Sequence, residues 1–456
     1  MKKRSSIGKI LKTSLPAALD LASQPVMWLV EAVFIGRLSA AALGGVGFAL
    51  QIILLTITLL LTFVMGAIIL INRHLGSNDR WGANHILGQT MMSGFIFSIL
   101  IGLIWYFGSP TLFRIIREQE LMNTGASYIS GINSGIQYLK IISLFAPIII
   151  TNFLAVSMIR GAGDTHLSMI INITMNITNI FLTPLFIYGL FGIPRLEVRG
   201  AAIAVGISHT LGFLITLISL RRPTSTLFLS IHELTTPNWM SIKRLFKLGI
   251  PTTVEQLVWS IGQVIVTGYV AWIGITALAV HQILLRIQGV LSMCYMGFGF
   301  TAMTHMGKNI GANEHLTAES MGKMTHRIAF LFVLCILVLM IVFSAPLLHL
   351  FIRREDAIIA DFRFRALFII FSLVQVPKAM NTVIAGSLRG AGDIQWIMWV
   401  NTFAVLILEI GFNWIGTFVF QWALLGIWSV QGLDELVKSM INYLRFRRGK
   451  WKLIRI

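Results

Sequence analysis

The sequence predicts an all-α polytopic membrane protein, with twelve transmembrane helices built as two parallel six-helix repeats. Three observations carry that prediction. The chain of 456 residues is 56% hydrophobic and only 12% charged, about half the charged fraction of an ordinary soluble domain. Its apolar stretches recur at the length that crosses a hydrocarbon layer of about 30 Å, which takes roughly 20 helical residues. The second half of the chain also aligns with the first.

The apolar stretches run roughly over residues 13–36, 46–71, 88–108, 135–158, 166–189, 200–220, 248–272, 281–306, 327–350, 364–386, 395–418 and 420–443. A formal charge of +18 would suggest nucleic acid in a soluble protein, but here the basic residues alternate between loops, as the positive-inside rule requires. With the N-terminus inside, that side collects Lys9, Lys12, Arg73, Arg80, Arg160, Arg221, Arg222, Lys308, Arg389 and the tail from Arg445 to Arg455. The basicity is therefore a topology signal with both termini cytoplasmic, and the tail is placed to meet anionic lipid headgroups. Cys294 and Cys335 both fall within spans, without disulfide or metal spacing. The first stretch is too long for a cleavable signal peptide and lacks a small-residue cleavage site. The expected location is the cytoplasmic (inner) membrane of a prokaryote.

Self-alignment sets the organisation. "LPAALD" at Leu15–Asp20 matches "IPTTVE" at Ile250–Glu255, an offset of 235 that also places Ala42-Leu43 on Ala277-Leu278, Gly76 on Gly311 and Asn78 on Asn313. "RGAGD" occurs at Arg160–Asp164 and again at Arg389–Asp393, an offset of 229 that also pairs Asn172 with Asn401. Six spans per copy is an even number, so both copies share one orientation, an arrangement found in transporters with the substrate site between the halves. The expected division is an N-terminal lobe at 1–222, a cytoplasmic linker at 223–246 and a C-terminal lobe at 247–456.

Ionisable groups inside spans cost about 2.5–3.5 kcal/mol each on insertion scales, which makes them functional candidates. They are Asp20, Glu31, Lys140, Glu255, Arg286, Lys378 and Glu409, with Lys140 and Arg286 near enough to span ends to snorkel. Asp20 and Glu31 are eleven residues apart, close to three turns, so both point to one face about 16 Å apart along the axis. Pro25 between them is expected to kink the helix. In span 5, Asn172, Asn176, Asn179 and Thr183 are spaced 4, 3 and 4, which keeps all four within about 60° on one face. Pro184 follows and would free backbone carbonyls for a cation. Such a stripe can also be packing glue between helices. The two N-x-T sequons in it are read as accidental.

These residues resemble the multidrug and toxic compound extrusion (MATE) family, and within it the branch that includes the DNA-damage-inducible F-type proteins. The resemblance rests on the duplicated RGAGD, on "LVEAVFIGRLS" ending span 1, on "ALAVHQILLRI" opening span 8 and on "ALLGIWSV" in span 12. It implies a V-shaped antiporter that expels organic cations or other amphiphiles, driven by inward protons or sodium. It puts at Glu31 the acid, usually Asp, that couples to transport. It matches Asn179 to a cation ligand but finds Thr183 where an Asp is usual, and Val205 where span 6 usually offers a Thr. Sodium needs several oxygen ligands and a proton needs one titratable group, so proton coupling through Glu31 is favoured. Sodium held by Glu31 and Asn179 is the alternative.

Further expectations follow from the repeat. Asp20 and Glu255, each four residues beyond a proline, are read as a matched acidic pair near the cytoplasmic mouth of the cleft, or else as acids favoured by a helix dipole. Lys378 stands where sodium-coupled relatives resemble one another in carrying an acid, which suggests a buried ion pair with Glu255 or Glu409. The RGAGD glycines permit a tight turn, Arg anchors at the boundary and Asp caps the next helix. No HExxH, nucleophile elbow or P-loop occurs, so an enzyme and a primary pump are disfavoured. A lipid-linked oligosaccharide flippase is the second reading. The expected partners are membrane lipid and amphiphilic or cationic small molecules, without nucleic acid or cofactor, and the expected state is a monomer.

Overall fold

A computed structural model describes residues 2–120, 126–222, 225–343 and 362–454. Among them every regular element is helical. The helices are α1 (Lys2–Gly36), α2 (Ala40–Gly76), α3 (Arg80–Glu120), α4 (Ala126–Gly161), α5 (Thr165–Tyr188), α6 (Val198–Leu220), a short α7 (Ile231–Thr235), α8 (Trp239–Ile273), α9 (Ile275–Gly311) and α10 (His315–Val342). They continue with α11 (Phe362–Ala391), α12 (Ile394–Val419) and α13 (Ala423–Arg447). By length and composition, 11 of them can cross a membrane. The twelfth expected span is α13, whose 25 residues extend about 37 Å but carry Asp434, Glu435 and Lys438 through their middle. Residues 344–350 of the ninth expected span lie outside the described residues.

Several helices outrun the hydrocarbon, and their extra turns carry the basic residues read as topology markers. Arg73 and His74 end α2, Arg160 ends α4, Lys308 ends α9, Arg389 ends α11, and Arg445 and Arg447 end α13. Cations there also suit the negative end of each helix dipole. The helix α1 runs on through Pro16 and Pro25, and α5 runs on through Pro184 to Tyr188. In α12 the turns widen to π-helix over Val405–Phe412 and Ile415–Val419, which nothing in the apolar pattern foretold.

The duplicated motifs fold into duplicated turns. Asn78 and Asn313 take left-handed φ of 60° and 59°. The turns close alike: Asp79 N–H donates to His74 O at 2.9 Å, and Glu314 N–H to Asn309 O at 2.8 Å. In the RGAGD turns Gly163 and Gly392 have φ of 94° and 90°, where glycine avoids the Cβ clash. There Asp164 N–H donates to Ile159 O and Asp393 N–H to Leu388 O.

The chain forms two compact units, one of Leu19–His74 with Asp79–Gly249, the other of Met1–Ala18, Leu75–Asn78 and Ile250–Ile456. Two stretches of the first repeat, Met1–Ala18 and Leu75–Asn78, group with the second unit, where they pack closely. A Cβ at Gly297 of α9 would meet the Ala18 backbone nitrogen at 2.5 Å and Cα at 2.7 Å, and one at Gly76 would meet the Lys308 carbonyl. Glycine thus lets backbones touch where lipid supplies no hydrophobic drive. The stretch read as a linker is strapped to the first unit. His85 of α3 bonds Glu233 at 2.5 Å and Ser241 at 3.0 Å, Gln89 donates to Thr236 O at 2.8 Å, and Asn84 accepts from Phe228 N–H at 2.8 Å. In the second unit Trp428 packs edge-on against Phe371 at 5.0 Å amid Val270, Val280 and Leu284.

Candidate functional site

Each unit contains an acid, an arginine and an asparagine from equivalent positions of the repeat, buried at Asp20 and Arg160 and part-buried at Asn172, Glu255, Arg389 and Asn401. In the first, Arg160 at the end of α4 donates to Asp20 Oδ2 at 2.9 Å, Ser168 Oγ donates to the same oxygen at 2.8 Å, and Asn172 Nδ2 donates to Oδ1. In the second, Arg389 at the end of α11 donates to both oxygens of Glu255 at 2.6 and 2.8 Å, and Asn401 Nδ2 donates to Oε1. A carboxylate buried away from water stands only with a cation and hydrogen bonds beside it, and both sets supply these.

Two expectations change with these contacts. Asp20 and Glu255 are not a pair of open acids, because each is neutralised inside its own unit by the arginine of an RGAGD motif. Neither is an acid at a helix N-terminus, because α1 begins at Lys2 and α8 at Trp239. The arginines act as counterions as well as boundary residues. The expected Asp cap appears once: Asp164 Oδ1 accepts from Leu167 N–H at 3.2 Å, whereas Asp393 holds Arg445 at 2.8 Å and caps nothing.

Farther along the same face of α1 lies Glu31, 3% exposed. Tyr138 Oη of α4 donates to its Oε1 at 2.9 Å, and no basic side chain lies within ion-pair distance among the described residues. Sequence reasoning missed Tyr138. Its signal was a phenol within a predicted span, where a buried hydroxyl usually finds a partner.

The polar stripe of α5 does meet α1, but at Asp20 and Ser23. Asn172 donates to Asp20, and Asn176 Nδ2 donates to Ser23 Oγ at 2.8 Å. Both sequon amides are therefore engaged between helices. Asn179 and Thr183 are buried, and Thr183 Oγ1 donates weakly to Asn179 Oδ1 at 3.4 Å. No hydrogen bond joins either to Glu31 among the described residues, while Asn179 Nδ2 is buried without a partner. Val205 is buried in α6 and contributes no oxygen.

The second unit holds a larger charged set. Lys378 pairs with Glu435 of α13 at 3.2 Å, not with Glu255 or Glu409. Glu255 is taken by Arg389, and Glu409 accepts from Gln263 Nε2 of α8. Asp434, Glu435 and Lys438 were missed as candidates, although three ionisable residues in one turn of a predicted span were in plain view. Chemically, the first unit separates a compensated acid, Asp20, from an uncompensated one, Glu31. The latter can take or give a single proton without breaking an ion pair.

The chain is similar to known proteins over most of its length. The family model described as MatE matches residues 16–185 and 251–415. The probable multidrug resistance protein NorM of Thermotoga maritima is 26% identical over 450 residues, covering 97% of this chain and 93% of that protein. The uncharacterized transporter YisQ of Bacillus subtilis is 24% identical over 438 residues, covering 96% and 93%. Among solved structures, a MOP superfamily transporter from Pyrococcus furiosus superposes with a TM-score of 0.85 at 21% identity, covering 98% of this chain and 96% of that one. An outward-facing multidrug resistance MATE family transporter gives 0.83 at 20% identity, covering 96% and 95%. These likenesses show the fold.

Proposed function

The chain belongs to the MatE family of multi-pass membrane transport proteins, and from that premise we propose that it is a secondary antiporter rather than any kind of enzyme. It exports organic cations or amphiphilic drugs in exchange for protons, by alternating access between its two repeats. It works in the cytoplasmic membrane of a prokaryote, with both termini inside. Relatives named for multidrug resistance support the substrate class.

One observation carries the coupling ion: Glu31 is a buried carboxylate bonded by a phenol and by no cation among the described residues. Such a group takes up a proton to lose an unbalanced charge in a low-dielectric interior, and gives it back when water or a substrate cation arrives. Sodium in the same place would draw on Glu31 and Asn179 as oxygen ligands. Thr183 and Val205 then leave it poorer in oxygen than a carboxylate and a hydroxyl would.

The test is export of ethidium from proteoliposomes with proton and sodium gradients imposed separately. Export that follows the pH gradient in the wild type and disappears in Glu31→Gln is expected. Export that ignores the pH gradient and follows sodium would sink the proton assignment, and full export by Glu31→Gln would remove Glu31 from the mechanism.

A further inference from the structure

The second unit carries an acid that its own ion pairs leave over. Asp434 and Lys438, one turn apart on α13, pair at 2.5 Å, and Lys378 of α11 pairs with Glu435 at 3.2 Å. Asn381 Nδ2 donates to the other oxygen of Glu435 at 2.9 Å, and Asn442 Nδ2 donates to Asn381 Oδ1 at 3.0 Å. Both lysines are therefore committed. Burial bears most on Glu409 of α12, which is 3% exposed, and the charges of Lys438, Asp434, Lys378 and Glu435 act on it after that. Its Oε1 is held by the neutral Gln263 amide. Its Oε2 is buried without a hydrogen-bond partner among the described residues.

Charge balance decides what Glu409 does. With the two lysines matched to Asp434 and Glu435, an ionised Glu409 leaves one uncompensated negative charge in the interior, and a protonated one leaves none. Burying an unpaired charge is the costlier state. The O–H bond forms on Oε2 as an O–H bond of a hydronium ion breaks, and water is left behind. A lysine that turned from its own acid toward Glu409 would displace that proton.

The backbone is shaped around this carboxyl independently of the charge count. Glu409 sits inside the π-helical Val405–Phe412 segment, a departure from α-geometry that recurs at functional positions. Gly262 lies opposite, where a Cβ would come 2.7 Å from Val405 Cγ1 and 3.9 Å from Glu409 Oε2. Glycine is what lets α8 and α12 close at the carboxyl.

We propose that Glu409 is a second proton-binding site, in the second unit, that loads and releases one proton in each transport cycle. The transport part rests on the proton-driven export read above, whereas the protonation itself does not.

Infrared titration of the protein reconstituted in vesicles reads the site directly. A protonated-carboxyl stretch that appears as pH falls is expected in the wild type, with one component lost in Glu409→Gln and that same component retained in Glu31→Gln. Titration of Glu409→Gln identical to wild type overturns the site. Should that variant fail to fold, Glu409→Asp keeps the carboxyl and shifts the component in frequency, and an unmoved spectrum overturns the site equally. In proteoliposomes the proton-to-ethidium ratio of Glu409→Gln falls by one while export continues, and an unchanged ratio overturns the coupled role. Wild-type export indifferent to pH removes the proposed function, but the infrared component lost in Glu409→Gln still supports the site.

Discussion

The two copies of the repeat share a scaffold and differ in what it carries. Asp20, Arg160 and Asn172 are matched position for position by Glu255, Arg389 and Asn401, and the turns at Asn78 and Asn313 close with the same hydrogen bonds. Beyond that frame the first copy isolates Glu31 beside Tyr138, whereas the second collects Lys378, Glu409, Asp434, Glu435 and Lys438 in one interior. Duplication thus repeats the groups that hold helix ends together and leaves the chemistry of each half free to diverge.

The largest effect is expected where the shared frame is broken. Arg160→Met would leave Asp20 buried and uncompensated, a loss of about 3–5 kcal/mol seen as collapse of folded protein on size exclusion, with recovery on adding Asp20→Asn. Arg389→Met should do the same more mildly, because its pair is 17% and 12% exposed against 6% and 0% for Arg160 and Asp20. Equal losses would mean that burial does not set the difference.

Next comes the pairing that distinguishes the second copy. Lys378→Met strands Glu435, which keeps Asn381 as a donor, so a loss of about 3 kcal/mol is expected. Thermal unfolding in detergent should be restored by Glu435→Gln and not by Glu255→Gln or Glu409→Gln. Rescue by either of the latter would refute the observed partner. In the first copy, Tyr138→Phe removes one hydrogen bond to a carboxylate, worth about 1.5–3 kcal/mol. Its export should shift in pH dependence without loss of fold, and an unshifted profile would show that the phenol does not tune Glu31.

The smallest effect lies at paired turn positions. The backbone N–H of Gly82 holds the Asp79 carboxyl below its ordinary value, against the opposing effect of burial and with further help from the side chain of His74. A lowered value means that Asp79 stabilises the fold fully above the ordinary carboxylate range, and that this is lost as pH falls through the lowered value. Its counterpart Glu314 makes no side-chain cap. Asp79→Ala should therefore lower the melting temperature slightly at neutral pH and not at strongly acidic pH, and Glu314→Ala should change neither.

Much of the fold was legible because it follows local rules. Span lengths, basic helix ends, left-handed Asn and Gly at turns and the even repeat all follow from helix geometry, bilayer thickness and backbone sterics. The candidate site was half legible. Periodicity put Asn172 and Asn176 on the face that meets α1, and flagged Glu31 and Glu409 as acids in apolar helices. It did not show that Asp20 and Glu255 were already neutralised, or that the segment after α6 would be strapped down by His85 and Gln89.

By itself the sequence determined that the chain is a succession of membrane-length helices, the equivalence of the two halves and which apolar helices carry ionisable residues. Tertiary structure alone decided who partners whom: Lys378 with Glu435, Glu31 with Tyr138, Gln263 with Glu409. The physical reason is that a 3.6-residue period fixes the face of a helix, while the partner on that face depends on which helix packs there and at what rotation. Contacts between residues 57 to 146 positions apart set those rotations together, through close glycine crossings and π-helical turns that no local pattern specifies.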